Sequence, residues 1–183
     1  MATIMRHIPN ILSAFRIALV GVFVWLFRLE AYWWALGVYL LAFFTDILDG
    51  YLARRNNWIS NIGKLLDPLA DKLLILAAMI CYASLGWIPL YIVIAELIKE
   101  LLMIVGGVFM LKYKIVVYAD TFGKISAGLL HASIVFTIVE HFVQVITPWH
   151  IVVFIISVLL AYVSMANYFF KNVYPVLKKG NKK

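Results

Sequence analysis

Four aspartates lie in the stretch 46–71 of a chain that is otherwise strongly apolar. Asp46 and Asp49 are three residues apart, and Asp67 and Asp71 are four apart. On a helix, either spacing places both side chains of a pair on one face. Four converging carboxylates repel one another unless cations neutralise them, and all-oxygen ligand sets suit magnesium or manganese. The spacing therefore predicts a metal site formed by two neighbouring helices.

The expected position of each pair on its helix bears on this interpretation. Asp46 and Asp49 lie near the expected C-terminal end of a helix, where the helix dipole disfavours negative charge. Asp67 precedes Pro68, so capping of the following helix by Asp67 is an alternative that needs no metal. Capping does not account for Asp46, Asp49 or Asp71. We therefore expect all four aspartates at the metal site and leave the capping role of Asp67 open.

The composition indicates the kind of protein that must position these residues. Of 183 residues, 65% are hydrophobic and 14% charged, and the mean hydropathy is +0.98. Soluble proteins carry about 25% charged residues, and a membrane-spanning helix needs about 20 mostly apolar residues. The chain is therefore expected to be an all-α integral membrane protein with one domain over residues 1–183. Six predicted spans share this length and character: Ile11–Leu29, Tyr32–Arg54, Asp67–Gly86, Pro89–Met110, Gly123–Val143 and Pro148–Phe170.

The net charge of +7 is distributed as in a membrane protein. The basic residues cluster between alternate apolar segments and at the C-terminus, so no nucleic-acid partner is expected. Cytoplasmic loops carry an excess of Lys and Arg. This distribution predicts that both termini and the aspartates lie on the cytoplasmic side of a cell membrane crossed several times.

The aspartates belong to a longer pattern, D-x2-D-G-x2-A-R-x8-G-x3-D-x3-D, whose other fixed positions are Gly50, Ala53, Arg54 and Gly63. This pattern is the signature of the CDP-alcohol phosphatidyltransferases, and the chain matches it at every fixed position. The opening IPNILSAFRIALV and the segment LLDPLADKLL are also similar to the bacterial glycerophospholipid branch of that family. Through this pattern and these two segments, the chain resembles the CDP-alcohol phosphatidyltransferase family.

The resemblance implies an enzyme that displaces CMP from CDP-diacylglycerol with an alcohol, in the lipid bilayer, with two divalent cations, Mg²⁺ or Mn²⁺. Family members are commonly homodimers, so a homodimer is expected. Asp46, Asp49 and Asp67 would bind metal, and Asp71 would complete the metal shell or act as the general base. The residues expected to bind the CDP group are Asp49, Gly50, Ala53, Arg54 and Gly63.

Basic residues outside the signature are candidates for binding the acceptor alcohol. Lys64, Lys99 and Lys124 are predicted to do so. Lys99 either pairs with a carboxylate such as Glu96 or faces a polar cavity, and the cavity is favoured. Lys124 is almost as well explained as a membrane-interface lysine. Arg16, within the first span, either borders the same cavity or extends its side chain to the interface.

The identity of the acceptor depends on the second half of the chain. Phosphatidylglycerophosphate synthases, which use glycerol 3-phosphate, are similar to the chain through the first three spans. They carry further bases where this chain has Gly106, Gly107 and Ser126. The segment 99–114 is about as similar to cardiolipin synthases of the same family, whose acceptor is phosphatidylglycerol. Glycerol 3-phosphate is the first expectation and phosphatidylglycerol the second.

Two other classes of protein contain acidic residues in a membrane. In a divalent-cation transporter, the aspartates would line the pathway, but such sites usually lie near the middle of the bilayer. These aspartates lie at predicted span ends, and a cation pathway would not need the Gly and Arg positions of the pattern. In a non-catalytic scaffold, the carboxylates would only pair with loop bases, which does not explain the complete signature. The enzyme interpretation is therefore preferred.

Overall fold

The computed structural model describes residues 8–56, 63–112, 121–143 and 148–176, without the side chains of 8–10, 49–54, 56, 63–66, 111 and 112. Within these ranges every regular element is helical, which confirms the all-α prediction. The elements are α1 (Ile8–Arg28), α2 (Tyr32–Asn56), α3 (Gly63–Ser84), α4 (Leu90–Lys112), α5 (Thr121–Val143), α6 (Trp149–Tyr168) and a π-helical segment (Phe169–Val173).

The start of α3 differs from the sequence expectation. The helix begins at Gly63, so Asp67 is already inside it and does not cap its start, which excludes the capping alternative. Pro68 also lies inside the helix. Proline lacks a backbone N–H, so the hydrogen bond to the carbonyl four residues earlier is not formed, but the helix continues through Pro68. The carboxylate of Asp67 is therefore available for contacts with other helices.

Three of the described helical stretches are long and apolar enough to cross a membrane: Ile11–Arg28, Thr121–Val143 and Trp149–Val176. A shorter apolar stretch, Tyr32–Leu48, lies in α2. The charged residues of α3 and α4 interrupt their apolar character. Six spans with both termini in the cytoplasm remain a prediction, as does the single domain.

The chain forms two compact units, Met1–Leu85 and Gly86–Lys183. In the first unit, α1 packs along both α2 and α3, whereas α2 and α3 contact each other much less. An aromatic cluster joins the three helices, with the ring of Phe27 lying 5.8 Å from Phe23 and 5.6 Å from Tyr82. Phe23, Tyr39 and Tyr82 are fully buried. α1 is therefore the helix on which the two aspartate-bearing helices are assembled.

A tight turn reverses the chain between α1 and α2. Glu30 adopts a left-handed backbone conformation with φ of 58°. The N–H of Ala31 donates to the carbonyl of Leu26 at 3.0 Å, and the N–H of Glu30 donates to the carbonyl of Phe27 at 3.1 Å. This pair of hydrogen bonds satisfies the last carbonyls of α1 in the manner of a Schellman motif. The short turn makes α1 and α2 antiparallel neighbours.

In the second unit, α5 and α6 form the most extensive helix contact. Two buried serines join them reciprocally: the hydroxyl of Ser126 donates to the carbonyl of Ser157 at 3.0 Å, and that of Ser157 donates to the carbonyl of Ser126 at 2.8 Å. Polar pairs of this kind hold apolar helices in register. Ser126 therefore has a structural role in joining α5 to α6.

Helix α4 packs against α6 and the π-helical segment. The hydroxyl of Tyr162 donates to the carbonyl of Ala95 at 2.9 Å. A Cβ atom at Gly106 would lie 3.1 Å from Cε1 of Tyr168, whereas a Cβ at Gly107 would meet nothing within 4 Å. The lack of a side chain at Gly106, but not at Gly107, therefore allows the close approach of Tyr168.

A polar contact connects the end of α5 with the start of α6. The Nδ1 atom of His150 lies 2.5 Å from the Glu140 carboxylate, and its Nε2 atom lies 3.1 Å from the carbonyl of Trp87. The ring of His141 stacks on Trp87 with centroids 4.0 Å apart. These contacts give His141 and His150 structural partners within the second unit.

Candidate active site

Arg16 lies on the buried face of α1. Ser13, Arg16, Leu19 and Phe23 follow one another at spacings of three or four residues, and all are buried. This spacing places them on one face of the helix. The Arg16 side chain is therefore directed into the first unit, which excludes its extension along the helix surface to a membrane interface.

The guanidinium of Arg16 joins two of the signature aspartates. Its Nη1 atom forms a salt bridge with Oδ1 of Asp46, on α2, and lies 3.0 Å from Oδ1 of Asp67, on α3. Arg16 is fully buried, whereas the side chains of Asp46 and Asp67 are 33% and 42% exposed. The structure thus brings together one aspartate from each predicted pair, as the spacing of the pattern predicts.

Asp71 lies one turn beyond Asp67 on α3 and is partly buried. It interacts electrostatically with the phenol of Tyr39, a fully buried residue of α2. Tyr39 and Asp46 are seven residues apart, two helical turns, so they lie on the same side of α2. Asp71 therefore lies near the part of α2 that contains Tyr39, and its place in the same site as Asp46 remains a prediction.

The observed donor set is compatible with a divalent cation. Carboxylate oxygens of Asp46 and Asp67 converge on a single positively charged group, and oxygen donors are the preferred ligands of magnesium and manganese. Within the described part of the chain, no three acidic, His or Cys side chains are already arranged around one point. The side chain of Asp49 lies outside the described residues, so the four-aspartate ligand set remains a prediction.

The predicted CDP-binding residues lie on the two helices that carry the aspartates. Positions 49, 50, 53 and 54 are in the last two turns of α2, and position 63 begins α3. Their side-chain contacts lie outside the described residues. The residues in question are Asp49, Gly50, Ala53, Arg54 and Gly63. Their role in binding CDP therefore stays a prediction.

The three predicted acceptor-binding lysines differ in their surroundings. Lys99 lies 2.5 Å from Glu96 Oε1 and 2.7 Å from Glu100 Oε1, and Glu96 is only 3% exposed. The pairing alternative for Lys99 is thus the one observed, with two carboxylates rather than one. Lys124 is exposed near the start of α5. The side chain of Lys64 lies outside the described residues, and acceptor binding by all three lysines stays a prediction.

Arg16 is the residue whose importance sequence reasoning underestimated. Its sequence signal was present, because a charged residue inside an apolar span is a functional candidate by default. Interface extension was an equally good explanation until the buried face of α1 was known. Only the packing of α1 against α2 and α3 shows that Arg16 reaches the aspartates.

A protein-family model described as CDP-alcohol phosphatidyltransferase matches residues 6–165 of the chain. The chain belongs to this family and is an enzyme of that class. Enzymes of the family generally depend on divalent cations.

Several relatives are similar to the chain. A CDP-diacylglycerol–glycerol-3-phosphate 3-phosphatidyltransferase of Bacillus subtilis is 31% identical, with 97% of this chain and 100% of the relative covered. A protein of the same name from Aquifex aeolicus is 29% identical over 94% of this chain and 99% of its own length. A CMP-forming cardiolipin synthase of Streptomyces coelicolor is 41% identical, but over 54% of this chain and 48% of the relative.

Proposed function

We propose that this enzyme transfers the phosphatidyl group of CDP-diacylglycerol to glycerol 3-phosphate, giving phosphatidylglycerophosphate and CMP. The observation that carries the proposal is the end-to-end similarity to two relatives named for this reaction, each covered over at least 99% of its length. The similarity to cardiolipin synthases reaches only about half of the Streptomyces protein. A match over both halves supports the acceptor choice more than a match over the shared signature alone.

In this proposal, the four signature aspartates bind two divalent cations at the membrane edge. Asp46 and Asp67 face one point, Asp71 lies on the adjoining turn of α3, and Asp49 is one turn beyond Asp46 on α2. When bound, the cations neutralise the diphosphate and the charge on the attacking and leaving oxygens. The preferred ion is magnesium or manganese, because all of these donors are carboxylate oxygens.

The protein residues have separable roles in the transfer. The acceptor hydroxyl oxygen attacks the phosphorus that carries diacylglycerol, while the bond from that phosphorus to the CMP oxygen breaks. Asp71 takes the hydroxyl proton as the general base, which requires hydrogen-bond reach to that hydroxyl. Arg54 binds a phosphate of the CDP group, and Gly50 and Gly63 allow its close approach. Lys64, Lys99 and Lys124 are proposed to bind the phosphate of glycerol 3-phosphate.

The membrane side and the assembly state belong to the same proposal. The positive-inside distribution supports a cytoplasmic active site, and the family resemblance supports a homodimer. The variant Cys81→Ser/Lys178→Cys should react with a membrane-impermeant maleimide in inside-out vesicles and not in intact cells. The reverse labelling pattern would refute the orientation. A detergent-corrected mass equal to one chain would refute the homodimer.

A second acceptor is supported by two specific observations. Cardiolipin synthases are 41–42% identical to this chain where they match it. Lys99 is also already neutralised by Glu96 and Glu100, which weakens its attraction for a phosphate. Phosphatidylglycerol carries a singly charged phosphodiester and needs fewer bases than glycerol 3-phosphate. The second candidate function is therefore transfer to phosphatidylglycerol, giving cardiolipin.

A CMP-release assay tests the proposal. The purified chain in lipid nanodiscs receives CDP-diacylglycerol and Mg²⁺ or Mn²⁺, with glycerol 3-phosphate, phosphatidylglycerol, serine or inositol phosphate in separate reactions. CMP release is expected in the reaction with glycerol 3-phosphate and in none of the reactions with the other acceptors. Release with phosphatidylglycerol instead would favour the second candidate, and no release with any acceptor would refute phosphatidyl transfer for this set.

The role of Asp71 is tested by the Asp71→Asn variant. Its turnover is expected to be lost while its thermal unfolding stays close to that of the unmodified chain, because an amide cannot take the hydroxyl proton. Glu30→Gln is the matched control, since it makes the same acid-to-amide change at an exposed turn. Turnover of Asp71→Asn equal to that of the control would remove Asp71 from the mechanism.

A further inference from the structure

The position of Arg16 requires a physical explanation. A guanidinium remains charged under all ordinary conditions, and a buried charge is tolerated only when it is paired. Arg16 is fully buried on the inner face of α1, and the structure pairs it with carboxylates of two other helices. Because the carboxylates it contacts belong to the signature residues Asp46 and Asp67, the charge of Arg16 acts on the candidate active site itself.

The helix packing makes this contact significant for the geometry of the site. Asp46 is carried by α2 and Asp67 by α3, and these helices contact α1 far more than they contact each other. The separation of the two carboxylates is therefore set largely through α1. The Nη1 atom of Arg16 is a point on α1 that contacts both carboxylates.

We propose that Arg16 is a positioning residue, an internal counter-cation that holds Asp46 and Asp67 together when no divalent cation is bound. Two carboxylates at one point repel, and the guanidinium offsets this repulsion at every cation concentration. Without Arg16, assembly of the three helices would depend on the divalent cation. The part of this inference that concerns cation binding rests on the proposed function.

The exposure of the three side chains shows from which direction a cation would approach. Arg16 is inaccessible to solvent, whereas Asp46 and Asp67 are each exposed over about a third or more of their side chains. Arg16 thus contacts the carboxylates from the protein interior, and a cation would reach them from the exposed side. A positive charge behind the carboxylates also repels an arriving cation, so Arg16 weakens cation binding while it maintains the geometry.

The experiment compares Arg16→Gln and Arg16→Lys with the unmodified full chain in detergent, by thermal unfolding in EDTA and in Mn²⁺. Arg28→Gln is the matched control, because Arg28 is an exposed arginine at the other end of the same helix. In EDTA, the melting temperature of Arg16→Gln is expected to fall by about 5 °C or more. Arg16→Lys, which keeps the charge, should lose less, and Arg28→Gln should match the unmodified chain.

The response to the cation separates a counter-charge from ordinary packing. Mn²⁺ should raise the melting temperature of Arg16→Gln more than that of the unmodified chain, and its apparent Kd for Mn²⁺ should be lower by about tenfold. An equal Mn²⁺ response in the two proteins would overturn the proposal. Equal melting temperatures of Arg16→Gln and Arg28→Gln in EDTA would overturn it as well.

A double variant keeps the proposal testable if Arg16→Gln does not fold. Asp67→Asn removes one of the two repelling charges, so Arg16→Gln/Asp67→Asn is expected to recover folding in EDTA. Failure of the double variant to recover would overturn the counter-charge explanation. These measurements do not require turnover. The expected shifts in melting temperature without CMP release would refute only the proposed function. CMP release without those shifts would refute only this inference.

Discussion

Replacement of Lys99 by methionine tests whether this lysine is a structural counter-ion as well as a predicted acceptor ligand. Lys99 lies between two carboxylates of its own helix, Glu96 at 2.5 Å and Glu100 at 2.7 Å, and Glu96 is almost fully buried. Methionine keeps a long, flexible side chain but carries no charge. The Lys99→Met change therefore leaves two carboxylates close together in an apolar helix.

The size of the effect follows from these distances. At an effective dielectric of about 20, each ion pair has a gross attraction of about 6 kcal/mol, most of which is cancelled by desolvation. Removal of one partner from a buried pair typically costs about 3–5 kcal/mol, because the remaining charge stays buried. For a chain of this length, that corresponds to a fall of about 6–20 °C in melting temperature. Glu96→Gln in the Lys99→Met background should recover part of the loss.

Thermal unfolding in detergent and the KM for glycerol 3-phosphate are the measurements. Lys124→Met is the control, because Lys124 is a predicted acceptor ligand that is exposed to solvent. Lys99→Met should lower the melting temperature strongly, while Lys124→Met should not. Equal melting temperatures for the two variants would refute the counter-ion reasoning. A raised KM in both, without a difference in stability, would instead assign Lys99 to acceptor binding alone.

Three further substitutions test the packing of the second unit. Gly107→Ala should raise the free energy of unfolding by up to about 1 kcal/mol, because alanine favours the helix and nothing lies near the added Cβ. Gly106→Ala should be about 1–2 kcal/mol less stable than Gly107→Ala, because its Cβ would crowd Tyr168. Detergent unfolding curves measure the difference, and equal stabilities would contradict the close approach at Gly106. Ser157→Ala should lower the free energy of unfolding by about 0.5–1.5 kcal/mol, because it removes the hydroxyl that donates to Ser126. No loss of stability in the same assay would show that this hydrogen bond contributes nothing measurable.

The helical architecture was largely predictable, because apolar segments separated by short polar stretches dictate long helices. The expected bounds of the second span, Tyr32–Arg54, agree closely with α2, Tyr32–Asn56. A clear boundary difference is at α3, which begins at Gly63 instead of Asp67. The expectation placed Pro68 in the first turn of the helix, but residues 63–66 of the signature are helical as well. Local propensity signals of this kind place helix ends less reliably than helix centres.

The choice between the two roles of Lys99 could not be made from its position in the chain. Glu96 and Glu100 lie at spacings that permit pairing on a helix, and a polar cavity would have been equally consistent with those spacings. Which role applies depends on burial and side-chain direction, which only the packed helices determine. In the structure, Glu96 is buried and both carboxylates contact the lysine. The acceptor, which was inferred partly from Lys99, is correspondingly harder to predict than the reaction class.

By itself, the sequence determined the family, the apolar helical character and the convergence of Asp46 with Asp67. Those properties follow from residue types at fixed spacings, which operate over one helix or one helix–loop–helix pair. Only the tertiary structure decided that Arg16 contacts both aspartates, because that contact depends on which face of α1 packs against α2 and α3. A charge in an apolar helix can face lipid headgroups, a cavity or another helix. The burial of one face of α1 selects among these, and it places the positive charge behind the carboxylates.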